Sequence, residues 1–183
     1  MRLAAQSGIS PLALLTDDER LPDPLAAARA LPPGSMVVVR AREAGRRRAL
    51  AFAVMKIARA RKLTVLIAGD AALARACGAH GVHLPEAQIG EAASLRARGG
   101  LLITASAHSF SALRRAKDAD AVFLSPVFPT ASHPGLAALG AARANLMARQ
   151  AKVPVYALGG IGARNAALLS AFCGIAAVGA LAV

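Results

Sequence analysis

Short apolar runs, most of them four to six residues long, recur along the whole chain, and all but the last stop at a polar residue, a glycine or a proline. They are Leu12–Thr16, Met36–Arg40, Thr64–Ala68, Gly81–Leu84, Leu101–Ser106, Ala121–Leu124, Val153–Gly160 and Gly174–Leu181. Segments of helical composition separate them: Pro24–Leu31, Ala44–Lys62, Ala71–Gly78, Glu91–Arg98, Ser109–Lys117, Ala138–Gln150 and Ala163–Phe172. A strand wet on one face alternates polar and apolar residues. These runs are apolar almost throughout, so they read as parallel strands buried on both faces. Eight such units in one domain, residues 1–183, predict an α/β fold of the (β/α)8 or TIM-barrel kind rather than an open doubly wound sheet. The repeat is short, so the helices are expected to be short as well. The sequence stops just past the eighth run, which predicts that an eighth helix is absent. The N-terminal segment or a second subunit is then expected to cover that flank.

Charge and composition narrow the partners. The net charge is +12, from 22 Lys and Arg against 10 Asp and Glu, yet there is no Trp and one Tyr. Basic residues without interleaved aromatics argue against nucleic acid and for solvated helix faces that also attract small anions. Cys77 and Cys173 sit in apolar surroundings without metal-ligand spacing, which fits free thiols in a reducing cytoplasm. The N-terminus has no sustained apolar stretch of the secretory type. Ala166–Val183 is uncharged, but Ser170, Gly174 and Gly179 interrupt it, so it reads as core rather than membrane span.

In a barrel, chemistry gathers at the strand C-termini and the loops that follow. Those positions carry Thr16, Asp17 and Asp18; Arg40 and Arg42; Gly69 and Asp70; His83 and Glu86; Ser106 and His108; Ser125 and the loop Pro129–His133; Gly159 and Gly160; and Val178 and Gly179. Arginines, hydroxyls and glycines in one rim predict anion binding. Gly159-Gly160 lets backbone approach a ligand, and a helix starting near Asn165 would offer free N–H groups to a phosphate. Of the histidines, His83 is expected inside or beside the barrel as a hydrogen-bonded structural residue. His108 is expected at a helix start, and His133 on the long loop is the proton-transfer candidate.

Four blocks then carry a resemblance: G-A-H-G-V-H-L, S-A-H-S, D-A-D-A-V-F-L-S-P-V-F-P-T and P-V-Y-A-L-G-G-I. Together, in this order from Leu12 to Leu181, they resemble the thiamine-phosphate synthase/TenI family. The resemblance implies a (β/α)8 barrel, often dimeric, of thiamine biosynthesis. Its synthases join hydroxymethylpyrimidine diphosphate to a thiazole phosphate with Mg²⁺ and release of pyrophosphate, and its TenI branch includes a thiazole tautomerase. It implies that Thr130 and Ser132 contact the thiazole phosphate and that Gly159, Gly160, Val178 and Gly179 cradle its phosphate. It further implies that Arg40, Arg42, Ser106 and His133 face the diphosphate.

The chain departs from the family pattern on the diphosphate and metal side. Ala68-Gly69 stands where synthases carry Asn-Asp, Gln88 where they carry a second Mg²⁺ carboxylate, Val38 in place of a glutamine, and His133 in place of a lysine. Asp70 and Glu86, one and two positions away, are the substitute metal candidates. The tautomerase histidine would fall at Pro126. The expectation is a synthase-like enzyme, with a TenI-like tautomerase or non-catalytic thiazole-phosphate binder as the alternative. The expected partner is a small phosphorylated substrate, with a homodimer and neither nucleic acid nor membrane involved.

Overall fold

The computed structural model describes residues 10–130 and 137–178. Eight strands run through them: β1 Leu12–Leu15, β2 Met36–Val39, β3 Thr64–Ala68, β4 Gly81–Leu84, β5 Leu102–Ala107, β6 Ala121–Leu124, β7 Val155–Leu158 and β8 Gly174–Ala177. Each pairs in parallel with its sequence neighbours, and β8 returns to pair with β1 through Leu12 and Ile175, closing the barrel. The apolar runs therefore have the cause expected of them: one face of each strand meets the barrel interior and the other meets helices.

Period two along each strand sorts the residues. Leu15, Met36, Val38, Leu66, Phe123, Tyr156 and Ala176 turn inward and pack against one another. Val37, Val39, Val65 and Ile67 turn outward against the helices, as do Val82, Ile103, Val122 and Leu124 on the other side. Phe123 and Tyr156 stack with ring centroids 4.8 Å apart and fill much of the interior. The Tyr156 hydroxyl donates to the Ser10 carbonyl, tying the chain before β1 to the barrel interior.

The helices are α1 Pro24–Ala30, α2 Ala44–Arg61, α3 Ala71–Cys77, α4 Ala92–Arg98, α5 Phe110–Arg115 and α6 Ala141–Arg149. All but the 18-residue α2 are six to nine residues long. Side-chain caps set several starts by taking orphan N–H groups of the first turn. Asp23 accepts from Leu25 and Ala26, Asp70 from Leu73, and Ser109 from Ala112. Glu43 does the same for Gly45 and Arg46 at α2.

One expected element does not form. Ala163–Phe172 was expected to be helical, but it holds only a single 3-10 turn at Ala166–Leu168. The backbone groups are taken by two asparagines instead. Asn145 on α6 donates to the Leu168 carbonyl (2.7 Å) and accepts from the Ala171 N–H (3.0 Å). Asn165 accepts from the Gly162 N–H and donates to the Gly160 carbonyl, both at 2.9 Å. The expectation of a missing eighth helix concerns residues beyond Val178, outside the described residues. None of the described helices is long and apolar enough to cross a membrane.

Candidate functional site

A closed parallel sheet delivers every strand C-terminus to one rim. At that rim the chain brings together Arg40, Ser106, Thr130, Gly159, Gly160 and Val178, with Asp17 and Glu86 on neighbouring loops.

Arg40 continues the inward series Met36, Val38 by one more step of two, so its side chain heads for the mouth. Thr16 fixes its backbone: the Thr16 hydroxyl accepts from the Arg40 N–H and donates to the Arg40 carbonyl, both at 2.7 Å. The guanidinium Nε donates to the Thr16 carbonyl (3.0 Å), and Nη2 donates to Asp17 Oδ2 (3.0 Å). Burial works against the Arg40 charge, and Asp17 offsets part of that cost. Arg20 binds the same Asp17 oxygen at 2.5 Å, and its hydrogen bond holds the carboxyl well below the usual carboxylate range.

The whole acidic loop after β1 is matched by arginines from the next loop and helix. Asp18 accepts from the Arg42 N–H (2.8 Å) and pairs with Arg46 (3.1 Å), and Glu19 pairs with Arg42 (2.8 Å). Exposed pairs of this kind are individually weak, but they turn Arg42 outward, leaving its side chain 82% exposed. An open cleft of about 290 Å³ lies between these two loops, lined by Thr16, Asp17, Arg40 and Arg42 among others.

Two strands along from β2, on β4, His83 is buried, as expected, and fully hydrogen-bonded. Its Nδ1 lies 2.8 Å from Thr104 Oγ1 and its Nε2 2.8 Å from Ser106 Oγ. Its ring tilts against Phe123 at 4.8 Å. Desolvation first, and the charge of Arg40 second, push its pKa down to about 3, so the imidazole is neutral. His108 sits just past β5, where Glu86 Oε2 accepts from both its N–H (2.7 Å) and its Nδ1 (2.8 Å), and Arg115 approaches Glu86 Oε1 at 3.5 Å.

The loops after β6 and β7 are zipped together. Val127 and Phe128 donate to the Leu158 and Gly159 carbonyls, both at 3.0 Å. Gly159 and Gly160 have φ of 95° and 64°, a left-handed backbone that suits glycine. A Cβ on Gly160 would lie 2.4 Å from the Pro129 carbonyl oxygen. The close approach that the glycines permit is thus first of all to the β6 loop. The expected helix N-terminus near Asn165 is absent, because the 3-10 turn replaces it, so any phosphate contact here rests on loop amides. Thr130 is half-buried beside this zipper. Val178 packs partly against the barrel interior. Ser132, His133 and Gly179 lie outside the described residues.

The metal candidates are otherwise engaged. Asp70 caps α3 through the Leu73 N–H (2.8 Å), and both Glu86 oxygens have partners. The one side-chain oxygen buried without a partner among the described residues is the neutral Gln88 Oε1, close to Gly69. No group of three or more His, Cys, Asp or Glu side chains able to hold a metal gathers among the described residues. This donor set, as arranged, does not fit Mg²⁺, which favours carboxylate oxygens and near-octahedral geometry.

Sequence reasoning named Arg40, Ser106 and His83 but missed Thr104 and the tie between Asp17 and Arg40. The signal for Thr104 is its spacing: hydroxyl residues at i and i+2 on β5 share a face, and β4 sets His83 opposite the first of them.

Comparison with known proteins agrees with this architecture. Over 114 residues the chain is 35% identical to a protein of Aquifex aeolicus (strain VF5) named "Putative thiamine-phosphate synthase 2", an alignment covering 61% of each chain. Thiamine phosphate pyrophosphorylase from Pyrococcus furiosus superimposes with a TM-score of 0.79 at 22% identity, covering 98% of this chain and 90% of that one. The corresponding protein from Bacteroides thetaiotaomicron gives 0.60 at 18% identity, covering 93% and 84%. FabK from Thermotoga maritima gives 0.73 at 18% identity, covering 98% and 61%. At these identities the solved structures speak to the barrel alone. Residues 12–181 match the TMP-TENI family model, described as thiamine monophosphate synthase, and the chain belongs to that family.

Proposed function

We propose that this chain is a thiamine-phosphate synthase-type enzyme of thiamine biosynthesis. It binds a thiazole phosphate at the rim and couples it to hydroxymethylpyrimidine diphosphate with release of pyrophosphate. The observation that carries the reading is a cation, Arg40 at the end of β2, and a hydroxyl, Ser106 near the end of β5, on one rim, with the buried neutral His83 on β4 between those strands holding Ser106.

In this reading Thr130, Ser132, the Gly159–Gly160 loop and the turn at Val178–Gly179 hold the thiazole phosphate. Arg40, Ser106 and His133 meet the negative charge that collects on the departing pyrophosphate. Donors fixed before the charge appears stabilise it without reorganisation, and the contacts of Arg40 with Thr16 and Asp17 supply that fixing. Arg42 would have to leave Glu19 to add a second cation. Both candidate carboxylates are already engaged, so Mg²⁺ would compete with existing contacts. To ligate it, Asp70 would have to give up the cap of α3, or Glu86 its contacts with His108 and Arg115. The same reading makes the protein a cytoplasmic homodimer.

The test is turnover with both substrates, with Mg²⁺ and with a chelator, beside calorimetric titration of thiazole phosphate. We expect product from the parent and a loss of about 100-fold in kcat/KM for Arg40→Ala. No heat at millimolar thiazole phosphate, or a parental rate in Arg40→Ala, would sink the assignment.

A further inference from the structure

Below the rim, the inner wall carries three polar side chains in line. Thr104 Oγ1 is 2.8 Å from His83 Nδ1, and His83 Nε2 is 2.8 Å from Ser106 Oγ. The register produces the line, since His83 stands opposite Thr104 and Ser106 is two residues further along the same face. Thr104 is 0% exposed and His83 3%, whereas Ser106 is half-buried at the mouth.

A neutral imidazole donates from one ring nitrogen and accepts at the other. Two tautomers could fill this row. If Nδ1 carried the hydrogen, it would donate to Thr104, and the Thr104 hydroxyl hydrogen would be left without an acceptor, because its hydrogen-bond partner is the imidazole itself. Folded interiors avoid a fully buried donor with no acceptor. If Nε2 carries the hydrogen, Thr104 donates to Nδ1, Nε2–H donates to Ser106 Oγ, and each buried hydrogen is used. Ser106 then accepts on its inner side, and its own hydrogen is turned toward the mouth. Aligned donors polarise one another, which strengthens the outermost one.

We propose that Thr104 locks His83 in the Nε2–H tautomer and thereby makes Ser106 a hydrogen-bond donor toward the rim, suited to a phosphate oxygen. The proposal rests on the rim being an anion site and adds that a buried threonine, touching no ligand, sets the direction of the hydroxyl. Thr104 and His83 are positioning residues. Their arrangement also excludes a nucleophilic Ser106, since Nε2 already bears a hydrogen and has no lone pair to take the serine proton.

Long-range ¹H–¹⁵N spectra of histidine-labelled protein read the tautomer without ligand. We expect pyrrole-type Nε2 and pyridine-type Nδ1 signals for His83, unchanged between about pH 5 and pH 8. Calorimetric titration with inorganic pyrophosphate reads the consequence. Thr104→Val should mix the tautomers and weaken binding about three- to ten-fold, while Thr104→Ser, which keeps the hydroxyl, should retain both parental signals. An Nδ1–H spectrum in the parent overturns the lock, as does parental affinity in Thr104→Val. A parent that takes up no pyrophosphate overturns the anion half of the proposal together with the proposed function, whatever the spectrum.

Discussion

His83 is a titratable side chain that the barrel keeps uncharged, and this gives the fold a pH dependence of definite sign. In the unfolded chain an ordinary histidine protonates near pH 6.5, whereas in the barrel His83 does so only near 3. Between those values the unfolded state holds the extra proton. Stability is therefore fully present above about 6.5 and is lost as pH falls toward 3, at up to about 1.4 kcal/mol per pH unit. Asp17 acts in the same sense lower down: its depressed carboxyl contributes above its ordinary value near 4 and loses that contribution as pH falls further. Urea midpoints measured from about pH 7 to pH 4 should decline for the parent and decline less for His83→Asn. Parallel profiles would contradict the assignment. At this scale the sequence showed which residue types reach the rim but not their partners. Arg40 and Arg42 stand two apart in R-A-R, yet one follows the inward strand period and the other lies beyond the strand on Glu19. Spacing carries no information about which acid an arginine meets.

The strands were legible because burial on both faces leaves a continuous apolar run, and all eight expected runs contain a strand. Six of seven expected helices form for similarly local reasons, with caps written as Asp23, Glu43, Asp70 and Ser109. Ala163–Phe172 shows the limit. Its alanines and leucines favour a helix, but intrinsic propensity is a weak prior that tertiary contacts override. Here the deciding contact comes from Asn145, 23 residues before Leu168. Removing it in Asn145→Ala leaves the Leu168 carbonyl and the Ala171 N–H without that partner. We expect a loss of about 1–2 kcal/mol in urea unfolding. An unchanged midpoint would show that water replaces the amide at no cost. The zipper between the β6 and β7 loops was equally hidden: G-G signals freedom of backbone, not the identity of the neighbour that needs it.

For the molecule as a whole, the surplus of +12 is distributed over helix faces, while three of the acids gather in one loop at the mouth and are matched there by arginines. Several large apolar side chains remain exposed on this outer layer, among them Phe52 on α2, Phe110 on α5 and Leu146 on α6. A homodimer would cover part of this layer. Sedimentation equilibrium should return twice the chain mass, and a single-chain mass at high micromolar concentration would rule the dimer out. The pairing of Leu12 with Ile175 bears on how such a dimer can be built. Sheet proteins commonly associate by adding strand to strand along an unpaired edge, and the same edge seeds fibrils. Here β1 and β8 satisfy each other, so among the described residues the barrel offers no unpaired edge. Copies that met on this outer layer would do so through side chains rather than barrel strands, so one changed residue could weaken the contact without unravelling the sheet.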